Sequence, residues 1–207
     1  MRHTLTPDHV PSRFRRRLAT LCLLPFLLKA VPAAAASFDD LAGRYSVGER
    51  SSVTFSISGG LVPTVHGSFR SFSGTFDLDP VHAERSSVTF SVVPGSVTTG
   101  VTPLDSLLRS STVFDAANHP TIHFASTAVR RTSETTAEVD GLLTLKGQTL
   151  AEHFTVTLTG HTDGRPVFHV VGRVARSAFG MSIGRPFYSD DVVFDLAVDG
   201  HRLRAGS

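Results

Sequence analysis

Ser51-Ser52-Val53-Thr54-Phe55-Ser56-Ile57-Ser58, ended by Gly59-Gly60, decides the architecture. Val53, Phe55 and Ile57 share one parity, and Thr54, Ser56 and Ser58 share the other. Successive side chains of a strand point to opposite faces, so this alternation builds one apolar and one polar face, as in a half-buried strand. Val, Thr and Phe also suit a pleated surface better than a helix. The same period returns in Val88, Phe90 and Val92, in Ile122 and Phe124 around His123, in Phe154, Val156 and Leu158, and in Val192, Phe194, Leu196 and Val198. Residues 86–91 echo residues 51–56, but the likeness goes no further, and two strands of similar face chemistry account for it.

Turn signals separate these runs: Gly59-Gly60, Asp79-Pro80, Pro94-Gly95, Gly147-Gln148 and Asp163-Gly164. One segment departs from the period. In Pro103-Leu104-Asp105-Ser106-Leu107-Leu108-Arg109 the leucines stand at i, i+3 and i+4, the spacing of one helical face, and Pro103 suits a first helical turn. The expected fold is all-β: a single antiparallel barrel of roughly eight strands with one short inserted helix. Eight strands leave an interior just wide enough for packed side chains or one small ligand. An outer-membrane barrel needs aromatic girdles at both interfaces. This chain has two Tyr and no Trp, which argues against one.

The first 36 residues read differently. Arg13, Arg15, Arg16 and Arg17 precede an apolar run from Leu18 to Leu28, and Ala33-Ala34-Ala35-Ala36 follows. A basic start, a short apolar run and a small-residue ending are the parts of a secretory signal. A transmembrane anchor needs about 20 apolar residues, whereas Pro25 and Lys29 cut this run short. The expectation is therefore a removed signal over 1–36, a domain over 37–207 and a periplasmic or secreted location without a transmembrane anchor. The arginines leave open export by the general or the twin-arginine route. Cys22 belongs to the apolar run, since no small-residue box precedes it.

Removing that segment reverses the charge. Of 20 Lys+Arg and 18 Asp+Glu, six basic residues and Asp8 lie in 1–36, which leaves 14 against 17 and a net charge of −3. No basic stripe remains for phosphates, so nucleic acid is not an expected partner. Without cysteine, residues 37–207 can form neither disulfides nor thiolate metal sites.

Catalysis and metal binding find little support. His119 and His123 are four apart, but Pro120 and the strand pattern keep them off a shared helical face. His123 is expected on the face opposite Ile122 and Phe124. No G-x-S-x-G elbow surrounds Ser68 or Ser177. No catalytic residue, metal or cofactor is singled out, and the chain is read as not an enzyme. Asp105 and Arg109, four apart on the helix, permit either a helix-stabilising pair or a cavity entrance at which Arg109 meets a polar head group. The apolar set Phe55, Ile57, Leu104, Leu107, Leu108, Phe114, Phe124, Phe154, Phe179 and Met181, with Arg109, is the expected ligand-binding surface, or else simply a core.

Four landmarks now stand in order. The first joins Tyr45-Ser46-Val47 and Val53-Thr54-Phe55-Ser56-Ile57 to Gly67-Ser68-Phe69 and Phe72-Ser73-Gly74-Thr75-Phe76. The second runs from Val97-Thr98-Thr99-Gly100 through Asp105, Leu108-Arg109-Ser110 and Phe114-Asp115 to Pro120-Thr121-Ile122-His123-Phe124. Gly141-Leu142-Leu143-Thr144-Leu145-Lys146-Gly147 is the third, and Arg176-Ser177-Ala178-Phe179-Gly180-Met181 the fourth. Together they resemble the YceI-like family, lipocalin-like periplasmic proteins described as polyisoprenoid-binding. The resemblance implies a lipocalin-like barrel whose elongated apolar cavity holds a long isoprenoid, quinone-like or fatty-acyl chain. The implied partner is such an amphiphilic lipid, with a homodimer left open. The chain also departs from the family pattern. Ser51 or Ser58, and Leu107, stand where members often carry His, and Thr112 and Ala178 where acidic residues are usual, so a less polar cavity mouth is expected. The alternative is a structural or interaction module whose barrel is filled by its own side chains.

Overall fold

The computed structural model describes residues 37–162 and 165–204. The expected signal over 1–36 and the Asp163-Gly164 turn lie outside them. In chain order the elements are β1 (Gly43–Val47), β2 (Ser52–Gly59), β3 (Val65–Phe69), β4 (Phe72–Leu78), β5 (Ser87–Val92), β6 (Val97–Thr98), α1 (Thr102–Arg109), β7 (Ile122–Arg131), β8 (Thr136–Leu145), β9 (Gln148–Thr162), β10 (Arg165–Ala175) and β11 (Tyr188–Arg202). No helix among the described residues is long and apolar enough to cross a membrane.

A ring of eight strands runs β1-β4-β5-β7-β8-β9-β10-β11 and closes from β11 back to β1, with every pairing antiparallel. The other three strands extend staves of this ring. β1 and β2 both lie along β11, with Tyr45 opposite Arg202 and Phe55 opposite Phe194. β3 pairs with β2 while β4 pairs with β1, and β6 pairs with β3 while β5 pairs with β4. The first three staves of the barrel are thus each broken once, near 48–51, 70–71 and 93–96. The expected eight-stranded barrel with one short helix is the observed architecture.

The break in the first stave is held by side chains. The Ser51 hydroxyl accepts from the Asp199 N–H at 2.9 Å, and Gly48 N–H donates to the Asp199 carbonyl at 2.7 Å. Arg50 grips the Asp199 carboxylate with two donors, at 3.0 and 3.2 Å. Burial pushes that carboxyl up, but Arg50 and His201 outweigh the effect and hold it below the usual carboxylate range.

Strand direction gives the barrel two ends. One carries the 60–64 turn, α1, the β8–β9 turn and the 176–187 connection; we call it the helix end. The other carries the 79–86 and 132–135 connections and the N-terminal residues 37–42. The tight β8–β9 turn at the helix end places both Lys146 (φ 50°) and Gly147 (φ 76°) in left-handed backbone, the geometry of a primed hairpin turn.

Candidate binding cavity

Inward-facing residues of one parity make the barrel wall: Val53, Phe76, Phe90, Phe124, Val139, Phe154, Phe168 and Leu196 are among them. They enclose a cavity of about 180 Å³. Eight phenylalanines line it, the five named and Phe38, Phe69 and Phe194, and none comes from α1. The rings lie back against the wall because glycines on neighbouring strands make room for them. A Cβ on Gly141 would overlap the Phe124 ring, one on Gly172 the Phe154 ring, and one on Gly74 would come within 2.8 Å of Phe90. An aromatic ring laid over a cross-strand glycine covers backbone and leaves the lumen open. Phe124 and Phe154 also meet edge to face, with centroids 5.1 Å apart.

The helix end is shut. Phe69 closes the cavity there and packs against Phe114 at 5.6 Å, with Phe55 at 5.5 Å. Leu108, Val113, Phe179 and Met181 fill the space beyond, all buried. Three polar side chains lock this plug. The Asp105 carboxylate accepts from the Thr99 hydroxyl at 2.7 Å, the Thr99 N–H at 2.6 Å and the Thr98 hydroxyl at 3.1 Å. These bonds, Thr99 first, hold its carboxyl below the usual range. Arg109 donates to the carbonyls of Gly95 and Val97 at 2.9 and 2.6 Å. Arg176, almost fully buried, donates to the carbonyls of Ser189, Met181, Ile183 and Tyr188 and so organises the 181–189 loop. Burial pushes its guanidinium down from its ordinary value.

The ionisable groups of the lining lie at the opposite end. They are Asp79 and Arg131, accompanied by Pro80, Ala83 and Ser86 of the 79–86 connection. Asp79 accepts from the N–H groups of His82 and Val81 at 2.9 and 3.1 Å, and the His82 bond leads in holding its carboxyl low. Arg131 donates to the exposed Asp39 carboxylate at 2.6 Å.

The expected site residues therefore divide. Phe124 and Phe154 line the cavity, whereas Phe55, Ile57, Leu104, Leu107, Leu108, Arg109, Phe114, Phe179 and Met181 lie outside its lining. Most of these pack the helix end, and Leu107 is 38% exposed. Asp105 and Arg109 stand 4.0 Å apart and both side chains bond to the 95–99 segment, at the end away from Asp79 and Arg131. Phe90 and Phe194 were visible in the alternating runs and share the inward parity of Phe124. Phe38 carries no periodic signal in the sequence. His123 is exposed and lies 3.0 Å from Ser91 Oγ, on the face opposite Ile122 and Phe124 as expected. Among the described residues no group of three or more His, Cys, Asp or Glu side chains is placed to hold a metal ion.

Comparison with known proteins agrees with this geometry. The family model for the YceI-like domain matches residues 45–199. The chain belongs to the YceI-like family. A UPF0312 protein of Pseudomonas savastanoi pv. phaseolicola is 35% identical over 136 residues, 65% of this chain and 68% of the relative. A UPF0312 protein of Pseudomonas putida strain W619 is 29% identical over 192 residues, 90% of this chain and 97% of the relative. Among solved structures, Burkholderia cenocepacia BcnA superposes with a TM-score of 0.68 at 25% identity, covering 74% of this YceI-like chain and 98% of that one. A polyisoprenoid binding domain from Saccharophagus degradans shares the fold at a TM-score of 0.58 and 14% identity, covering 78% and 99% of the two chains.

Proposed function

We propose that this YceI-like protein is an exported carrier that holds the apolar tail of a long-chain amphiphile, isoprenoid, quinone-like or fatty-acyl, without a catalytic step. The observation that carries this reading is the apolar cavity itself. It encloses about 180 Å³ behind an almost wholly apolar lining. An apolar cavity of about 150 Å³ stays dry and takes up benzene. Pockets for drug-sized ligands run to about 300–1,000 Å³, so the segment held here is slender, a chain rather than a fused ring system. Each buried methylene contributes about 0.8 kcal/mol, which makes an unbranched or isoprenoid chain an efficient occupant. The family membership and the described neighbour that binds polyisoprenoid support the same class of ligand. The leader-like residues 1–36 support export to the periplasm or beyond.

The test is organic extraction and mass spectrometry of the protein purified without detergent from its native host. A single long-chain species at near-equimolar amount is the expected result and names the cargo. Clean extracts from repeated preparations, with no uptake of added polyprenyl or acyl lipids, would overturn the reading.

A further inference from the structure

The cavity has a neighbour on the surface. A shallow surface depression lined by Pro80, Val81, Ala83, Glu84, Val129, Arg130 and Arg131 shares Pro80, Ala83, Val129 and Arg131 with the cavity. Only these side chains of the 79–86 connection and the end of β7 stand between the two spaces. β5 pairs with β7 only from Thr89 to Val92, so no ladder seals the wall at this point. Of the two ionisable groups in the lining, Asp79 is turned to the N–H groups of its own loop. Arg131 is the cation of the lining, and its side chain is 25% exposed.

Arg131 donates Nε to the Ser133 carbonyl at 2.9 Å, and its Nη1 meets a short N-terminal piece. Residues Phe38–Asp40 form one 3-10 turn capped by Ser37. The Phe38 ring stacks on Phe168 at 6.1 Å and lines the cavity, while the Arg131 guanidinium stands 5.7 Å from the same ring. Asp39 takes Nη1 of Arg131, and one backbone bond of 3.3 Å joins Phe38 to Glu134. Asp39 is 65% exposed. An ion pair with one partner so exposed is a weak tie. The turn is thus a stopper: one ring in the lumen, one carboxylate on the cation at the rim.

We propose that Arg131 is the head-group site for an anionic amphiphile, carboxylate or phosphate, which displaces Asp39 as its tail enters the cavity. This rests on the carrier reading above. Asp39 stands in for the ligand's anion and Phe38 for the start of its chain. Arg130 does not compete for the role, because it is held by Asp140 at 2.6 Å and Glu138 at 3.7 Å on the outer face.

Binding of dodecanoate, dodecyl phosphate and dodecanol to the purified full chain, by calorimetry, tests this against Arg131→Met and Asp39→Asn. Both variants break the ion pair, but only one removes the cation. Arg131→Met should weaken the anionic probes by about ten- to hundredfold, the loss expected for a charge-assisted contact. Asp39→Asn should tighten them, whereas dodecanol, which carries no anion, should shift alike in the two variants. The probe with the larger loss identifies the head group as carboxylate or phosphate. If both variants shift all three probes the same way, the pair is only a latch and the proposal falls; it falls equally if neither shifts any. If the unaltered chain binds none of the three, the carrier reading itself has failed.

Discussion

The two ends of the barrel are made from similar residues yet differ in what those residues do. At the helix end, Phe55, Phe69 and Phe114 press ring against ring, with Phe179 buried beyond them, and leave no lumen. Towards the 79–86 end, Phe90, Phe124 and Phe154 lie over glycines and leave one. Aromatic content is therefore no guide to where a ligand fits. Phe55 too lies over a cross-strand glycine, Gly67, so the deciding factor is what covers the inner side of the ring: Phe69, itself packed by Phe114, closes the space over Phe55, whereas Phe90, Phe124 and Phe154 border the cavity.

The largest effect should come from cutting matched phenylalanines at the two ends. Phe179, 1% exposed, is packed on all sides, and Phe179→Ala should lower unfolding stability by about 3–5 kcal/mol. Phe154 already borders empty space, so Phe154→Ala should cost clearly less, about 1–2 kcal/mol, because fewer contacts are lost on the cavity side. Urea unfolding of both variants measures the difference, and equal losses would break the comparison.

Gly172→Val sharpens it from the other side. The new side chain must push the Phe154 ring into the lumen. The expected outcome is at least about tenfold weaker uptake of a long-chain probe, with a stability loss of about 1–3 kcal/mol from overpacking. Uptake at the original affinity would mean that the lumen is not where the chain lies.

A smaller effect concerns acid. The folded carboxyl of Asp105 lies below its ordinary value, so its contribution is present in full above the unfolded value and is lost as pH falls through the folded one. Stability should thus drop below about pH 4, the ordinary carboxylate range. Asp105→Asn should flatten part of that slope while leaving ligand uptake at neutral pH unchanged. An Asn variant with the full acid slope would show that the helix-end lock does not contribute.

The same contrast explains what could be read from the sequence. Alternation located the strands, because burial of one face imposes the period directly on composition. The motifs that stand out most, from Val97 to Phe114 and from Arg176 to Met181, specify the closed end. A helix and an irregular loop need particular caps, charges and turns, and these leave conspicuous letters. The cavity leaves few, since its wall is ordinary strand residues whose partners are set by register. That Gly172 faces Phe154 follows from the β9–β10 pairing, in which the two stand directly opposite, and not from either local segment. Hence the expected site clustered at the helix end while the lumen and its polar rim lie elsewhere. Phe38 illustrates the remainder: a single ring on a non-periodic turn acquires its position only through the residues it meets, Phe168 and Arg131.

The broken staves have a consequence for how the wall comes apart. From β7 to β11 the ladders are long, with one register shift each in β7–β8 and β9–β10, whereas β6 touches β3 through only two residue pairs, and β1 reaches β11 through three. Amide exchange reads such differences as separate opening events, with protection near the global limit only where long ladders overlap. Hydrogens on β8, β9 and β10 should be the last to exchange, and those on β3 and β6 should leave early by a local excursion. Half of the barrel thus behaves as one continuous sheet and the other half as jointed panels, so that one quadrant can loosen while the ring stays shut.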